Sequence, residues 1–421
     1  MRRDDHKSRL IGPVSIVCFL ALVTLSLLEP ALAGAAEWKL VPDLGIKEEY
    51  NDNVLFVENP AGGEMITTLD GRLTAFRRTA RSSVKMSGSL AAVRHAKSSY
   101  LDAWDQNYSL SLNRRMTERL QMGISTSVAR DSRADRYLDE GGLVTDISNR
   151  WLEQVQLSSN YVWSEKTSSS FSYAFSNQHY QGRAQGASRS QEITVGTMFH
   201  PLWKPANSSV FTELKLGIND FSTSKVDEYS MALGYGYSVN ELWRLTLGGG
   251  MQYSRTTMEG RNVWFRLDTT PTPHFVAVAS IPVENSWSDI GWLTRIILDY
   301  HGERMKGSMR LSHDYYPASD YASLAVRDRV SLKADHRLNK KISVSLSGEY
   351  VHTRSVGGGL DSRVLNTIIW RLKPRFSYTP SKDVSLRVVY AYTSNLNRLT
   401  GIKEVQNRVN IAFNFNMNVL K

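Results

Sequence analysis

The segment Val409-Asn410-Ile411-Ala412-Phe413-Asn414-Phe415-Asn416-Met417-Asn418-Val419 decides the fold. Successive side chains of a β-strand point to opposite faces. One face here is wholly apolar: Val409, Ile411, Phe413, Phe415, Met417 and Val419. The other carries Asn410, Ala412, Asn414, Asn416 and Asn418. A soluble sandwich would bury the apolar face against a second sheet. A barrel in an outer membrane turns it to lipid and turns the amides to water.

The same alternation recurs toward the N-terminus. Val384, Leu386, Val388, Tyr390 and Tyr392 alternate with Ser385, Arg387, Val389, Ala391 and Thr393. Tyr229, Met231, Leu233, Tyr235 and Tyr237 alternate with Ser230, Ala232, Gly234, Gly236 and Ser238. Stretches around 120–129, 170–176 and 342–350 repeat it. Short polar connections near 77–82, 114–118, 164–168, 204–208, 239–243, 301–306, 338–341 and 379–383 take turns with longer ones. Short periplasmic turns and long extracellular loops are the rule for bacterial barrels. Nine long loops and eight short turns predict 18 strands, with both ends in the periplasm. The predicted fold is therefore all-β, a transmembrane antiparallel up-and-down β-barrel of about 18 strands. The count falls to 16 if the weakest segments, about 40–56, 65–77 and 306–315, do not all qualify.

Composition agrees. The chain of 421 residues is 41% hydrophobic and 22% charged, too polar for a bundle of membrane helices. Its 10 Trp, 19 Tyr and 13 Phe are too many for a disordered chain. Residues 1–33 read as an export signal: a basic start (Arg2, Arg3, Lys7, Arg9), an apolar core over 10–28 and a small-residue cleavage site at Ala31-Leu32-Ala33. Residues 34–421 then form the barrel. The one cysteine, Cys18, lies in the signal, so the exported chain has no thiol nucleophile, disulfide or cysteine-bound zinc. After the signal no run of about 18 apolar residues predicts a membrane helix. Tryptophans near strand ends (Trp104, Trp151, Trp163, Trp203, Trp243, Trp287, Trp292, Trp370) fit interfacial girdles. The longest connection, about 256–286, is rich in apolar residues such as Trp264, Phe265 and Phe275. It reads either as a constriction folded into the lumen or as a hairpin extending two strands beyond the membrane.

No sequence motif argues for catalysis. The histidines are scattered, without paired metal-ligand spacing, and neither Gly248-Gly249-Gly250 nor Gly357-Gly358-Gly359 precedes a Lys-Ser/Thr pair. The enzymatic alternative is a rim hydrolase built on His313, His274 or His179 with an acidic partner and a nucleophile. The expectation is a non-enzyme with no cofactor and no metal. Its partners are outer-membrane lipid and the barrel-insertion machinery. Nucleic acid is not expected, because the net charge of +10 is spread along strands and not gathered in a tail. From the twelfth to the seventeenth strand the polar parity is basic: Arg295, Arg310, Arg327, Arg329, Lys333, Arg371, Lys373, Arg375 and Arg387. Two readings are open. One is a solvated wall with cross-strand ion pairs of little individual worth. The other is an electropositive lane that concentrates anionic solute.

The stretch Trp38-x3-Pro42-x-Leu44-x3-Glu48-x-Tyr50-x-Asp52-Asn53 resembles the opening strand of a β-barrel porin family found with exopolysaccharide export and exosortase-associated (PEP-CTERM) gene clusters. The match covers about 38–56, and the rest agrees in architecture. The resemblance implies an outer-membrane conduit for a secreted polysaccharide, working with a periplasmic export component. A general small-solute porin and a structural barrel plugged by the 256–286 loop are the alternatives. Glu48, Asp52 and Asn53 suit either a staple of the first strand at the rim or a cation site. Proteins of this class usually end in Phe or Trp, whereas this chain ends Val419-Leu420-Lys421; Phe413 and Phe415 keep the expected parity.

Overall fold

The computed structural model describes residues 37–132, 149–180, 183–201, 207–221, 224–262, 282–318, 323–355 and 365–416. They form 18 strands: β1 (Glu37–Asn51), β2 (Glu64–Arg78), β3 (Ser82–His95), β4 (Ala103–Arg115), β5 (Leu120–Asp131), β6 (Arg150–Ser164), β7 (Thr167–Tyr180), β8 (Arg183–Phe199) and β9 (Ser208–Phe221) make one half. The other half is β10 (Ser224–Ser238), β11 (Trp243–Asn262), β12 (Pro282–His301), β13 (Met305–Ala318), β14 (Ser323–Arg337), β15 (Ile342–Ser355), β16 (Asn366–Tyr378), β17 (Val384–Asn397) and β18 (Lys403–Asn416). Each strand pairs antiparallel with the next, and β1 pairs with β18, so the sheet closes on itself. The seam runs from Asp43↔Asn416 to Asn51↔Arg408. A count of 16 is thereby set aside: β1, β2 and β13, the weakest in the sequence, are full strands.

The parity of each strand settles which way it faces. The rung Leu214↔Met231↔Met251↔Trp292 crosses four strands, and its members are 50–64% exposed. Large apolar side chains standing out on every strand of a closed barrel form a continuous band, which water would not tolerate and lipid solvates. Closure leaves no unpaired edge, as a sheet in hydrocarbon requires. The chain is a membrane-spanning barrel of the outer-membrane type. Aromatic pairs at the strand ends, Trp243–Tyr300 and Tyr350–Trp370, have ring centroids 4.8 and 4.6 Å apart and mark its two interfaces. Trp104, Trp151, Trp163 and Trp292 share the outward parity. Trp287 has the inward parity of β12, and Trp203 lies outside the described residues.

Asn and Thr side chains fold the short turns. The Asn240 carbonyl oxygen accepts from the N–H groups of Leu242 and Trp243, and that of Asn339 accepts from Lys341 and Ile342. Thr117 does the same for Arg119 and Leu120. Two boundaries differ from the sequence reading. β1 stops at Asn51, not near Phe56, because the side chains of Asp52 and Asn53 turn the backbone off the ladder. The 256–286 connection is strand at both ends: β11 runs to Asn262 and β12 starts at Pro282, with a bulge between Met258 and Arg261. This favours the extended hairpin at its base; residues 263–281, with Trp264, Phe265, His274 and Phe275, lie outside the described residues.

A charge on the outer face tests the orientation. Leu233→Arg should cost about 2–4 kcal/mol in urea titrations of the barrel folded into vesicles. Its inward neighbour variant Ala232→Ser should change stability by less than about 0.5 kcal/mol. Equal effects would mean that the faces are assigned wrongly.

Candidate functional site

The lumen is the site, and its walls follow from strand parity. On β4 to β7 the inward side chains are largely uncharged hydroxyls and amides, among them Asn107, Ser125, Gln156 and Ser172. Some meet across strands, as Ser87 and Ser109 do at 2.7 Å. All nine basic residues read from the sequence occupy the inward parity of β12 to β17. Their outward neighbours include Ile296, Met309, Leu332, Trp370, Leu372 and Phe376.

The nine do not act alike. Toward the long-loop end, Arg327 Nε lies 2.9 Å from Asp314 Oδ1, and its guanidinium sits 4.6 Å over the Tyr316 ring. Arg329 and Arg371 share Glu349, at 3.3 and 3.2 Å, and Arg371 is buried. This knot is structural: two carboxylates and three guanidiniums bind β13, β14, β15 and β16 together. Lys333 lies 3.5 Å from Asp335. Arg295, Arg310, Arg375 and Arg387 are different. Each is exposed to the lumen, and none pairs with a carboxylate among the described residues. Cross-strand and same-strand ion pairs thus account for Arg327, Arg329, Arg371 and Lys333, and the electropositive reading concerns the four arginines that stand without a carboxylate.

The long-loop mouth is shaped by residues 52–63. Asp52 accepts from the Asn407 backbone N–H and side-chain amide, both at 2.7 Å. The Asn53 amide donates to the carbonyls of Val57 and Val405, and the Gln406 amide donates to the Asn53 carbonyl. So held, the chain turns through Phe56, whose φ of 53° is left-handed. That conformation is costly for a large non-glycine residue. It brings the ring three to four strands round the wall onto Ile369 of β16 and Val351 of β15, and all three are at most 2% exposed. Ile369 and Val351 adjoin Arg371 and Glu349 in their strands, so the loop seats directly above the ionic knot. Glu64, at the rim end of β2, anchors the neighbouring loop. It accepts from the backbone N–H groups of Lys97 and Ser98 and lies 2.9 Å from His95 Nδ1. Burial raises the Glu64 pKa, but these contacts outweigh it and hold the carboxyl below its usual range.

Below this roof is a chamber of about 440 Å3, bounded above by Val54 and Leu101. The wall of β16, β17, β18, β1 and β2 supplies Lys373, Arg375, Arg387, Arg408 and Lys47, with Asn410 among them on β18 and Thr68 beyond Lys47 on β2. Glu49 and Asp105 are its carboxylates, and Glu49 lies 3.1 Å from Lys47.

Of the family-like motif, Asp52 and Asn53 form the staple just described. Tyr50 faces outward, and Trp38 stacks under Arg77 at 5.8 Å near the short-turn end. Pro42 lies beside the first rung of the seam. Glu48 has the outward parity and accepts from Thr67 at 2.9 Å. Glu48, Asp52 and Asn53 thus do not converge, and no cluster of three or more metal-ligating side chains occurs among the described residues. The sequence alone does not single out Asn407, Gln406 and Phe56: polar residues and a loop aromatic carry no pattern until the seam brings β18 beside β1.

The hydrolase alternative requires a histidine with both an acidic partner and a nucleophile. His313 Nδ1 is 2.6 Å from Asp328 Oδ1, and its ring stacks on Trp292 at 3.9 Å. Its sequence neighbour Asp314 instead pairs with Arg327. His179 stacks on Trp151. Among the described residues no serine or threonine hydroxyl is hydrogen-bonded to His313, His179 or His95, so the His–carboxylate pairs lack a placed nucleophile.

The fold and the water-facing lumen define a porin-like outer-membrane barrel. No family model and no curated protein matches the sequence. Among solved structures, the chain is similar to the ferric-catecholate import receptor Fiu from E. coli, at 8% identity and TM-score 0.49, covering 90% of this chain and 82% of that one. It is also similar to OccK2 (OpdF) from Pseudomonas aeruginosa, at 10% identity and TM-score 0.47, covering 91% and 99%. Likeness at this level carries no further argument.

Loosening the mouth should be visible in single-channel recordings. Phe56→Ala removes about 3 kcal/mol of packing and, since alanine also has a Cβ, leaves the left-handed cost in place, so the closed-to-open ratio should fall by about a hundredfold. Asn53→Ala should act in the same direction and expose 52–63 to proteolysis. An open probability unchanged in both variants would show that this loop does not close the mouth.

Proposed function

We propose that the protein is an outer-membrane channel for hydrated anionic solute, with an acidic exopolysaccharide as its cargo and a periplasmic export component as its partner. The observation that carries the reading is the set of four lumenal arginines, Arg295, Arg310, Arg375 and Arg387, exposed and without carboxylate partners. A charge in a water-filled pore bounded by low dielectric attracts counter-ions and repels co-ions. Hydroxyl and amide walls exchange hydrogen bonds with sugar hydroxyls at little net cost, because each replaces one to water. The cargo rests on the resemblance of 38–56 to a polysaccharide-export family. A general small-solute porin is supported equally by the hydroxyl and amide wall of β4 to β7. In either case the protein moves solute and performs no chemistry.

Reversal potentials in planar bilayers under a salt gradient test the reading. The protein should prefer anions. Replacing Arg295, Arg310, Arg375 and Arg387 by Gln should bring the permeability ratio close to one, while Arg327→Gln, in the ionic knot, should act mainly on stability. Cation preference in the unmodified protein would overturn the reading. Loss of polymer secretion on deletion, with small-solute uptake unchanged, would separate export from a general porin.

A further inference from the structure

The chamber under the 52–63 loop has the composition of a binding station, not merely of a passage. Its volume of about 440 Å3 lies in the range of small-molecule sites, about 300–1,000 Å3. Five basic side chains line it against two carboxylates, one of which already lies against Lys47. Arg375 and Arg387 meet no carboxylate, and they stand on adjacent strands two rungs apart on one wall: Arg375 opposes Val389, which Arg387 precedes by two. Asn410 stands on the next strand, opposite Val389, and Thr68 lies further round the same wall, opposite Lys47; both donate and accept. Guanidiniums bind planar oxyanions through paired N–H groups. Amides and hydroxyls suit a ligand rich in hydroxyls. The roof of Val54 and Leu101 is apolar and would cover the less polar face of a ring.

We propose that this chamber binds a sugar chain one or two units long that bears a carboxylate, with Arg375 and Arg387 on the carboxylate, Asn410 on ring hydroxyls of the same unit, and Thr68, further round the wall, on those of a second. The inference rests on the conduit reading above for its ligand class, and it adds a discrete station where that reading requires only a charged wall. Basic charge alone would favour any anion; the neighbouring hydroxyls and amides are what select a saccharide.

Galacturonate and galactose differ only at the sixth carbon, so titration calorimetry with both, and with sodium sulfate, on the full detergent-solubilised chain isolates the two halves of the claim. Galacturonate should bind at least about tenfold more tightly than galactose and than sulfate, a ratio expected of one desolvated charged contact. The Arg375→Gln/Arg387→Gln pair should abolish the advantage over galactose. Asn410→Ala should weaken both sugars and leave sulfate unchanged. Arg115→Gln, on the inward parity of β4 outside the chamber, should change nothing by more than about twofold. Heat-modifiable mobility reports whether each variant is folded. If the double variant does not fold, the unmodified protein still gives the answer: the galacturonate advantage should shrink as salt rises toward about 1 M, where the Debye length is about 3 Å. Sulfate binding as tightly as galacturonate, or galactose as tightly, overturns the station. Conductance measured in parallel keeps the two ideas apart. A conducting chain without sugar discrimination leaves a conduit and no station, and a discriminating chain without conductance leaves the station and no conduit.

Discussion

The backbone ladder between β1 and β18 is the constraint on which the rest depends. In hydrocarbon every N–H and C=O must find a partner within the protein, since no water is present to take one. Seventeen sequential pairings would still leave two open edges; the eighteenth, from Asp43↔Asn416 to Asn51↔Arg408, removes both. Once the sheet is closed, a side chain has only two places to go, lipid or lumen. The alternation of each strand then becomes a map of solvent. Met231, Met251 and Trp292 need lipid, and Ser, Asn and Arg on the other parity need a wet interior. Closure, outward band and polar lumen are one solution to one condition.

Within that lumen, electrostatics divides the basic set by depth. Arg327, Arg329 and Arg371 are consumed by Asp314 and Glu349, where losing either carboxylate would leave buried charge without compensation. Arg295, Arg310, Arg375 and Arg387 remain in water, where a cation is well solvated and needs no partner. Paired and unpaired positions thus fall to the same residue type, separated by burial. The Phe56 loop lies over the paired group, so the unpaired charges lie on the short-turn side of it.

Much of this was legible in the sequence because a strand writes its environment every second residue. The 18 strands, the turn ends and the inward placement of all nine basic residues follow from parity and loop length. Even β13, with Lys306, Arg310 and His313 in a short run, reads correctly once its apolar members Met309 and Leu311 are seen to alternate. What parity does not encode is distance around the ring. That Glu349 serves both Arg329 and Arg371, or that His313 turns to Asp328 instead of adjacent Asp314, depends on cross-strand register. Loops escape for a different reason: residues 52–63 have no period, and Phe56 is placed by the bonds that Asp52 and Asn53 make with Val405, Gln406 and Asn407, partners 352 to 355 positions apart.

Contacts so far apart in the chain tie the mouth to the order in which the barrel is made. The side chains of Asp52 and Asn53 belong to the first part of the barrel to be made, and their partners on β18 to the last. Until the terminal strand docks against the opening one, the Asp52 carboxylate lacks its Asn407 partners and the Asn53 amide keeps only its local bond to Val57, so the turn that aims the aromatic ring is not tied to the wall. Formation of the mouth is therefore contingent on completion of the wall. An intermediate stalled with its ends apart would carry an undirected loop above an unsealed cylinder. The same few hydrogen bonds that shape the entrance also report, within the molecule, that assembly has finished.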